Sequence, residues 1–491
     1  MDQTPGVRLS SPAGRGVVAA AVLGSSVAML DGTVVNVALP HIGAEFGAEM
    51  DGLQWIVNGY TLTLAALVLL GGALGDRYGR RRVFIIGVIW FGAASMLCGV
   101  AENTPLLVGA RILQGIGAGL LTPGSLAMIQ SSIAERDRAR AIGAWSGLGG
   151  VAAAAGPFLG GWMVDALNWR WVFFINAPVV VVAVLATLKW VPESKTEGDA
   201  DGRFDVLGSF LGALGLAGLT YALVQTDPIG PAIAAGVVGV GAFAAFLMWE
   251  RKTPRPVLPP SLFKSRQFSG INAATFFVYA ALGGVLFFLV LYLQTVANYT
   301  ALAAGVSLLP FTILMLLFSS RAGELGERIG PRRPLTVGPA VAAAGTLLFL
   351  RIDADANYFT EVLPAVLLVG IGMTITVAPL TAGVLAAADQ RHAGVASGVN
   401  NAVARAASLL AVAALPLVSG LTGTAYEDPD AFTSGFKVAT LWCAGLLAAG
   451  ALVSWLFVRD PAREPDAPTA APRTHCAYDA PPLDPGVQQE A

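Results

Sequence analysis

The sequence predicts an all-α polytopic membrane protein: fourteen transmembrane helices, built as two six-helix halves plus an inserted helix pair. Three observations carry that prediction. The 491 residues are 55% hydrophobic and only 13% charged, with mean hydropathy +0.67, whereas a soluble domain carries roughly 25% charged residues. Fourteen apolar stretches recur along the chain, and the charges flanking them alternate in density. One loop pattern occurs twice, 251 residues apart. The same figures exclude other classes. Hydrophobicity this high with a net charge of -2 is incompatible with disorder. No basic excess is present to bind nucleic acid. Three cysteines (Cys98, Cys443, Cys476) and three histidines (His41, His392, His475) show no metal-ligand spacing, so neither metal nor cofactor is expected.

A membrane helix needs about 20 apolar residues. Such stretches fall at roughly 17–40, 53–75, 83–101, 106–129, 141–164, 172–191, 206–226, 232–250, 269–295, 304–322, 335–352, 361–387, 396–419 and 436–458. The first follows Arg8 and Arg15 as a signal peptide would, but it lacks a small-residue cleavage site before Asp31 and is read as retained span one. The organisation expected is a cytoplasmic N-terminus (1–16), a first half (17–191), a loop with the inserted pair and linker (192–268), a second half (269–458) and a Pro- and Ala-rich disordered tail (459–491). Orientation follows from charge. With both termini cytoplasmic, inner segments hold 25 of the 30 Lys and Arg residues, and outer segments hold only Arg170, Arg351 and Lys437. Trp55, Trp162, Trp169 and Trp171 fall near outer boundaries, and Trp190, Trp249 and Trp455 near inner ones, as an aromatic belt requires.

The repeated loop reads Gly72-Ala-Leu-Gly75-Asp76-Arg77-Tyr-Gly79-Arg80-Arg81-Arg82 after span two and Gly323-Glu-Leu-Gly326-Glu327-Arg328-Ile-Gly330-Pro-Arg332-Arg333 after span ten. Internal duplication is a transporter hallmark. The plain reading of the loop is a positive anchor with a glycine turn. The sharper one is an inner gate: Gly75 and Gly79 allow a tight turn, Asp76 faces the N-terminal end of a neighbouring helix, and Arg77 and Arg80 reach across the two halves. Gly72, Arg81, Glu327 and Arg328 belong to the same expectation.

At these residues the chain resembles the major facilitator superfamily, and four further segments make it similar to the fourteen-spanner drug:proton antiporter branch. They are Leu30-Asp31-Gly-Thr33-Val34-Val35-Asn36-Val37-Ala38-Leu39-Pro40, Arg111-Ile-Leu-Gln114-Gly115-Ile-Gly117-Ala-Gly119, Gly156-Pro157-Phe-Leu-Gly160-Gly161, and Trp169-Arg170-Trp171-Val-Phe-Phe-Ile-Asn176-Ala-Pro178. The resemblance implies proton coupling at the second segment and export at the third. The chain departs from that branch at Ala152, where a glycine is expected, and in span ten, where residues 304–322 lack the acid that some dication exporters carry.

Ionisable residues at membrane depth usually mark function, and three stand well inside the spans: Asp31, Arg111 and Arg405. Helical rise puts Asp31 and Arg111 at similar depth in the outer half, so an ion pair is geometrically possible. Burial disfavours a charged carboxylate and a nearby guanidinium favours it, so changes in access or distance move a proton on and off. The alternative is a static buried pair. Gln114 shares a helix face with Arg111, and Asn401 shares one with Arg405; these stripes either line a cavity or satisfy one another. With Asn36 and the span-nine aromatics (Phe276, Phe277, Tyr279, Phe287, Phe288, Tyr292) they are the candidate substrate contacts. In span five, Gly143, Gly147, Gly156, Gly160 and Gly161 permit close packing and Pro157 invites a kink.

The leading expectation is a proton-coupled antiporter exporting amphipathic drugs, antibiotics or natural products. One acid against two arginines puts neutral, zwitterionic and anionic substrates on the same footing as cations. A nutrient importer and a non-transporting membrane sensor are the competing readings. No catalytic constellation and no G-x-x-x-x-G-K-[ST] loop occurs, so neither an enzyme nor ATP drive is expected; the proton gradient supplies the energy. The expected partners are a small amphipathic substrate, protons and the lipid bilayer, with the protein a monomer. Arg outnumbers Lys 25 to 5, which suggests a GC-rich bacterium and hence a bacterial cell membrane.

Overall fold

The computed structural model describes residues 7–194, 205–225, 227–254, 256–387, 393–425 and 427–460. Most of the expected tail therefore lies outside the described residues, as do residues 195–204 of the loop before span seven. Among the described residues the fold is all helical, with one isolated β-bridge between Val7 and Ile133. Thirteen helices are long and apolar enough to cross a membrane, and a bent pair makes the fourteenth. Spans one to six are Pro12–Phe46, Met50–Tyr78, Arg80–Gly99, Thr104–Ser132, Glu135–Ala166 and Trp171–Trp190. The inserted spans seven and eight are Val206–Val224 and Ile229–Glu250. Span nine is Arg266–Thr295, and span ten joins Ala301–Ser307 to Leu309–Ile329. Spans eleven to fourteen are Arg332–Arg351, Tyr358–Ala386, Ala393–Val418 and Pro429–Phe457.

Local chemistry sets these boundaries. Ser11, Asn103, Asp205, Thr300 and Asp428 each accept a hydrogen bond from a first-turn backbone N–H of spans one, four, seven, ten and fourteen, which satisfies donors that an uncapped helix leaves bare. Span one ends at Gly47 in the left-handed region (φ 60°). Spans one, four and five overrun the apolar stretches at both ends, because the helices continue into the polar layer beyond the hydrocarbon.

Packing repeats the duplication seen in the loops. In the first half, span one packs on spans five and six, span two on four, and span three on four and six. In the second half, span nine packs on thirteen and fourteen, ten on twelve, and eleven on twelve and fourteen. The halves meet along three pairs: one with nine, five with ten, and two with thirteen. Span seven of the inserted pair lies against both spans two and thirteen. That pair is peripheral: 22% and 17% of its apolar windows are buried, against 67% for span nine, so its surface faces lipid.

The two ends of the molecule differ. At the arginine-rich end each half has its own core, around Phe84, Ile129 and Val191 in the first and around Phe268, Leu335 and Val458 in the second. At the opposite end one core spans both halves, joining Leu39, Leu53 and Phe173 to Phe288, Leu421 and Phe436. Hydrogen bonds between the halves also concentrate there: Gln294 Nε2 to the Val37 carbonyl (3.0 Å), Met50 N to the Gly423 carbonyl (3.0 Å) and Gln54 Nε2 to the Val412 and Ala413 carbonyls (2.7 and 3.0 Å). The molecule is sealed at that end and parted at the arginine-rich one.

Candidate functional site

Asp31 sits in span one, where its carboxylate is fully buried, and spans two, three, four and six surround it. Arg111 donates from Nη1 to Asp31 Oδ2 (2.5 Å) and to Gln114 Oε1 (2.6 Å), and from Nε to the Ile56 carbonyl (3.0 Å). Gln114 Nε2 donates to Asp31 Oδ1 at 2.8 Å, and Asn176 Nδ2 donates to the same oxygen at 3.4 Å. Asn176 also donates to Ser95 Oγ (2.9 Å), which donates to the Phe173 carbonyl. The Arg111 guanidinium lies over the Tyr60 ring at 4.4 Å, and the Tyr60 hydroxyl donates to the Ala28 carbonyl. Relative exposures are 0% for Asp31, 1% for Arg111 and 0% for Gln114. An unpaired ion there would cost several kcal/mol, and this ring of donors offsets that cost.

The arrangement does two things chemically. It holds a carboxylate beside a guanidinium that stays charged, and it closes both off from solvent, so a proton reaches Asp31 only after the helices move. The expected pairing of Asp31 with Arg111 is present. Of the two expectations for Gln114, lining a cavity or satisfying its polar neighbours, the structure shows the second: its amide bridges the two charged side chains. Asn176, Ser95 and Tyr60 were not anticipated at this site. Asn176 was visible only as a member of the Trp169–Pro178 segment; the rotation of spans three and six, which sequence spacing leaves open, turns it and Ser95 toward Asp31.

Span five is one continuous helix through Pro157; among the described residues, span two is broken and bent by 49°. Proline lacks the N–H that would bond the carbonyl four residues earlier, here that of Ala153, and Thr33 Oγ1 of span one donates to that oxygen at 3.1 Å. The same device recurs across the halves: Pro416 frees the Val412 carbonyl, which Gln54 takes. The span-five glycines divide into two groups. A Cβ at Gly156 or Gly160 would collide with Thr33 or Val34 of span one, and one at Gly161 would meet the Ala301 carbonyl oxygen of span ten at 2.5 Å. Asp165 accepts from Ala301 N (3.1 Å) and Leu302 N (2.9 Å), which ties the end of span five to the start of span ten. Gly143, Gly147 and Gly150 have nothing within 4 Å of a Cβ position, so the close packing expected of Gly143 and Gly147 is not made.

The repeated loops each build the same joint. Gly79 (φ 110°) and Gly330 (φ 86°) adopt backbone angles that side-chain-bearing residues avoid, and a Cβ at either would strike a carboxylate, that of Glu193 or Asp460. Arg81 N donates to Glu193 Oε1 (3.1 Å), and Arg332 N donates to Asp460 Oδ1 (3.0 Å). Arg81 Nη1 and Arg332 Nε reach the carbonyls of Val191 and Trp455 (3.1 Å each). Glu193 and Asp460 escaped the sequence reading; the available signal was an acid three residues past the ends of spans six and fourteen.

The contacts of Asp76, Arg80 and Arg81 differ from those expected. Asp76 takes Arg80 (2.7 Å) instead of a neighbouring helix end, and Arg81 turns to span six, so these contacts stay within the first half. Among the described residues, none of these contacts crosses the gap between the arginine-rich ends. Arg77 lies over the Tyr78 ring at 5.5 Å. A Cβ at Gly72 would touch Pro123 at 3.5 Å, and one at Gly75 would be in ordinary contact at 3.8 Å, so Gly79 is the residue that the turn requires. Arg328 is exposed, and the Glu327 side chain lies outside those described.

A cavity of about 470 Å³ opens between the halves, lined by spans one, five, nine and ten and by Val377 of span twelve. Of the expected substrate contacts only Asn36 lines it. Asn401 turns back to the Ser397 carbonyl (3.0 Å). Arg405 is half-buried within electrostatic reach of Tyr60 and Tyr279, away from the cavity wall. Phe276 and Tyr279 are half-buried against the shared core. Phe287, Phe288 and Tyr292 are core residues, with Tyr292 stacked on Phe436 at 4.3 Å, because span nine packs against spans thirteen and fourteen through that face.

The family model for the Major Facilitator Superfamily matches residues 21–412. The chain is 35% identical over 456 residues to a methylenomycin A resistance protein of Bacillus subtilis, covering 91% of this chain and 95% of that one. It is 34% identical to a puromycin resistance protein of Streptomyces alboniger (88% of each chain). It is 33% identical to a tetracenomycin C resistance and export protein of Streptomyces glaucescens (83% and 77%). Among solved structures it matches a bacterial homologue of the lysosomal transporter Spinster, inward-facing and unoccupied, with TM-score 0.65 at 17% identity, covering 91% of this chain and 97% of that one. At that identity the likeness concerns the fold.

Proposed function

The chain belongs to the Major Facilitator Superfamily, and from that premise we propose that it is a proton-coupled antiporter exporting amphipathic drugs, antibiotics or natural products by alternating access. The family consists of small-molecule carriers, and the relatives named above are resistance and export proteins. The observation that carries the coupling part is the buried pair of Asp31 and Arg111, sealed from solvent in a molecule parted at one end. With the arginine-rich loops inside, both termini are cytoplasmic and the parted end is the inner one.

In this reading the outer ends separate, Asp31 takes a proton from outside, and the resulting neutral acid no longer holds Arg111 through charge. The cluster then rearranges, and the proton leaves inward as substrate moves outward. Each proton gains about 2.3 kcal/mol per 100 mV of membrane potential. The setting is a bacterial cell membrane, with the protein acting as a monomer on a small amphipathic substrate. Everted vesicles from cells expressing the protein test it with radiolabelled puromycin. Accumulation that needs an imposed proton gradient and collapses with it is the expected result. Uptake into right-side-out cells driven by the same gradient would support a nutrient-type importer instead.

A further inference from the structure

Three glycines of span five are unpartnered, yet glycine is the costliest ordinary residue in a helix interior apart from proline. Gly143, Gly147 and Gly150 all line the 470 Å³ cavity, and no atom approaches within 4 Å of where their Cβ atoms would stand. Their bareness is what gives the cavity its width on that side. Opposite lie Phe311 and Met315 of span ten. No charged side chain is among the lining residues, and Asn36 supplies the one side-chain amide, which has no protein partner among the described residues. A volume of this size suits a drug-sized ligand. A ligand bearing a fixed charge would find no counter-ion among these lining residues, which is unfavourable to the extent that binding desolvates the charge.

From this we infer that the crevice between spans five and ten is a binding site for uncharged amphipathic ligands, gauged by Gly147 and read by the Asn36 amide. The inference rests on the exporter reading and narrows its substrate class. Asp31 and Arg111 take no part in ligand recognition: both are enclosed on the other side of span one.

The test is fluorescence binding to the purified protein with two matched probe pairs. One is N-phenyl-1-naphthylamine and its anionic 8-sulfonate; the other is diphenylhexatriene and its cationic trimethylammonium derivative. Detergent background is removed by counting only saturable signal. Each neutral parent should bind at least about tenfold more tightly than its charged analogue, the penalty of an unpaired buried charge. Gly147→Leu should abolish the site. Gly241→Leu, at a lipid-facing glycine with equally open surroundings in span eight, should leave it intact and controls for folding. Asn36→Leu should weaken the naphthylamine, which carries an N–H, about threefold, the loss of one neutral hydrogen bond, without changing diphenylhexatriene. Charged analogues binding as tightly as their parents, unchanged binding in Gly147→Leu, or no saturable site would each overturn the inference. Unchanged binding in that variant would assign the bare glycines to helix closure. The assay needs no gradient, so its failure leaves proton-driven accumulation standing, and loss of accumulation with binding intact strikes only the exporter reading.

Discussion

The Asp31 cluster and the open crevice lie on opposite faces of one helix. Residues in a helix turn about 100° each, so Thr33, Asn36 and Val37 face the cavity while Asp31 faces Arg111. One face is charged, fully satisfied and closed to solvent; the other is neutral, sparsely polar and open. On the proposed reading, the contrast means that proton and substrate are not brought to the same atoms. Span one can carry both, and its motion links them. Thr33 joins the two regions: it lines the crevice, lies two residues from Asp31, and takes the carbonyl that Pro157 releases in span five.

Separable faces should break separately. The largest effect is expected from Asp31→Asn, which keeps the shape of the cluster but has no carboxyl to titrate. Gradient-driven accumulation should fall to background while neutral-probe binding in the crevice stays at wild-type strength. Loss of both would collapse the distinction between the faces. Next comes Gly161→Leu, whose side chain would be forced onto the span-ten backbone. Overpacking costs about 1–3 kcal/mol, so the outer seal should weaken. A cysteine-reactive, membrane-impermeant reagent applied from outside should then label Ala304→Cys, buried in the sealed end, several-fold faster than in the unsubstituted background.

A smaller effect is expected from Gln54→Ala. It leaves the buried Val412 carbonyl without its donor, at a cost of about 1–3 kcal/mol, and should lower the melting temperature of the inward-open protein. The smallest is Thr33→Val, an isosteric change that strips one donor from the Ala153 carbonyl. A loss of about 1 kcal/mol with intact probe binding would show that the link between the faces is mechanical; loss of binding would move Thr33 into the ligand site.

Much of this was legible in the sequence because it follows from one-dimensional quantities. Span count comes from apolar length. Helical rise puts Asp31 and Arg111 at similar depth, and the packing of spans one and four turns them together. What escaped depends on rotation and on which state the halves adopt. Asn176 and Ser95 reach Asp31 only because spans three and six turn that way. The span-five glycines look alike in sequence, yet Gly161 is packed against span ten and Gly147 is bare, since one lies on the sealed side and the other on the parted side. The donor that takes the carbonyl freed by Pro157 escaped because Thr33 lies 124 positions earlier.

The central claim is that Asp31 carries the exchanged proton. Proteoliposomes holding the purified protein and a trapped pH dye test it most directly, by following proton movement when a gradient of a substrate accumulated by the everted vesicles is imposed. Wild-type protein should move protons opposite to that substrate, and Asp31→Asn should move the substrate without protons or not at all. Proton countertransport by Asp31→Asn at the wild-type rate would contradict the account.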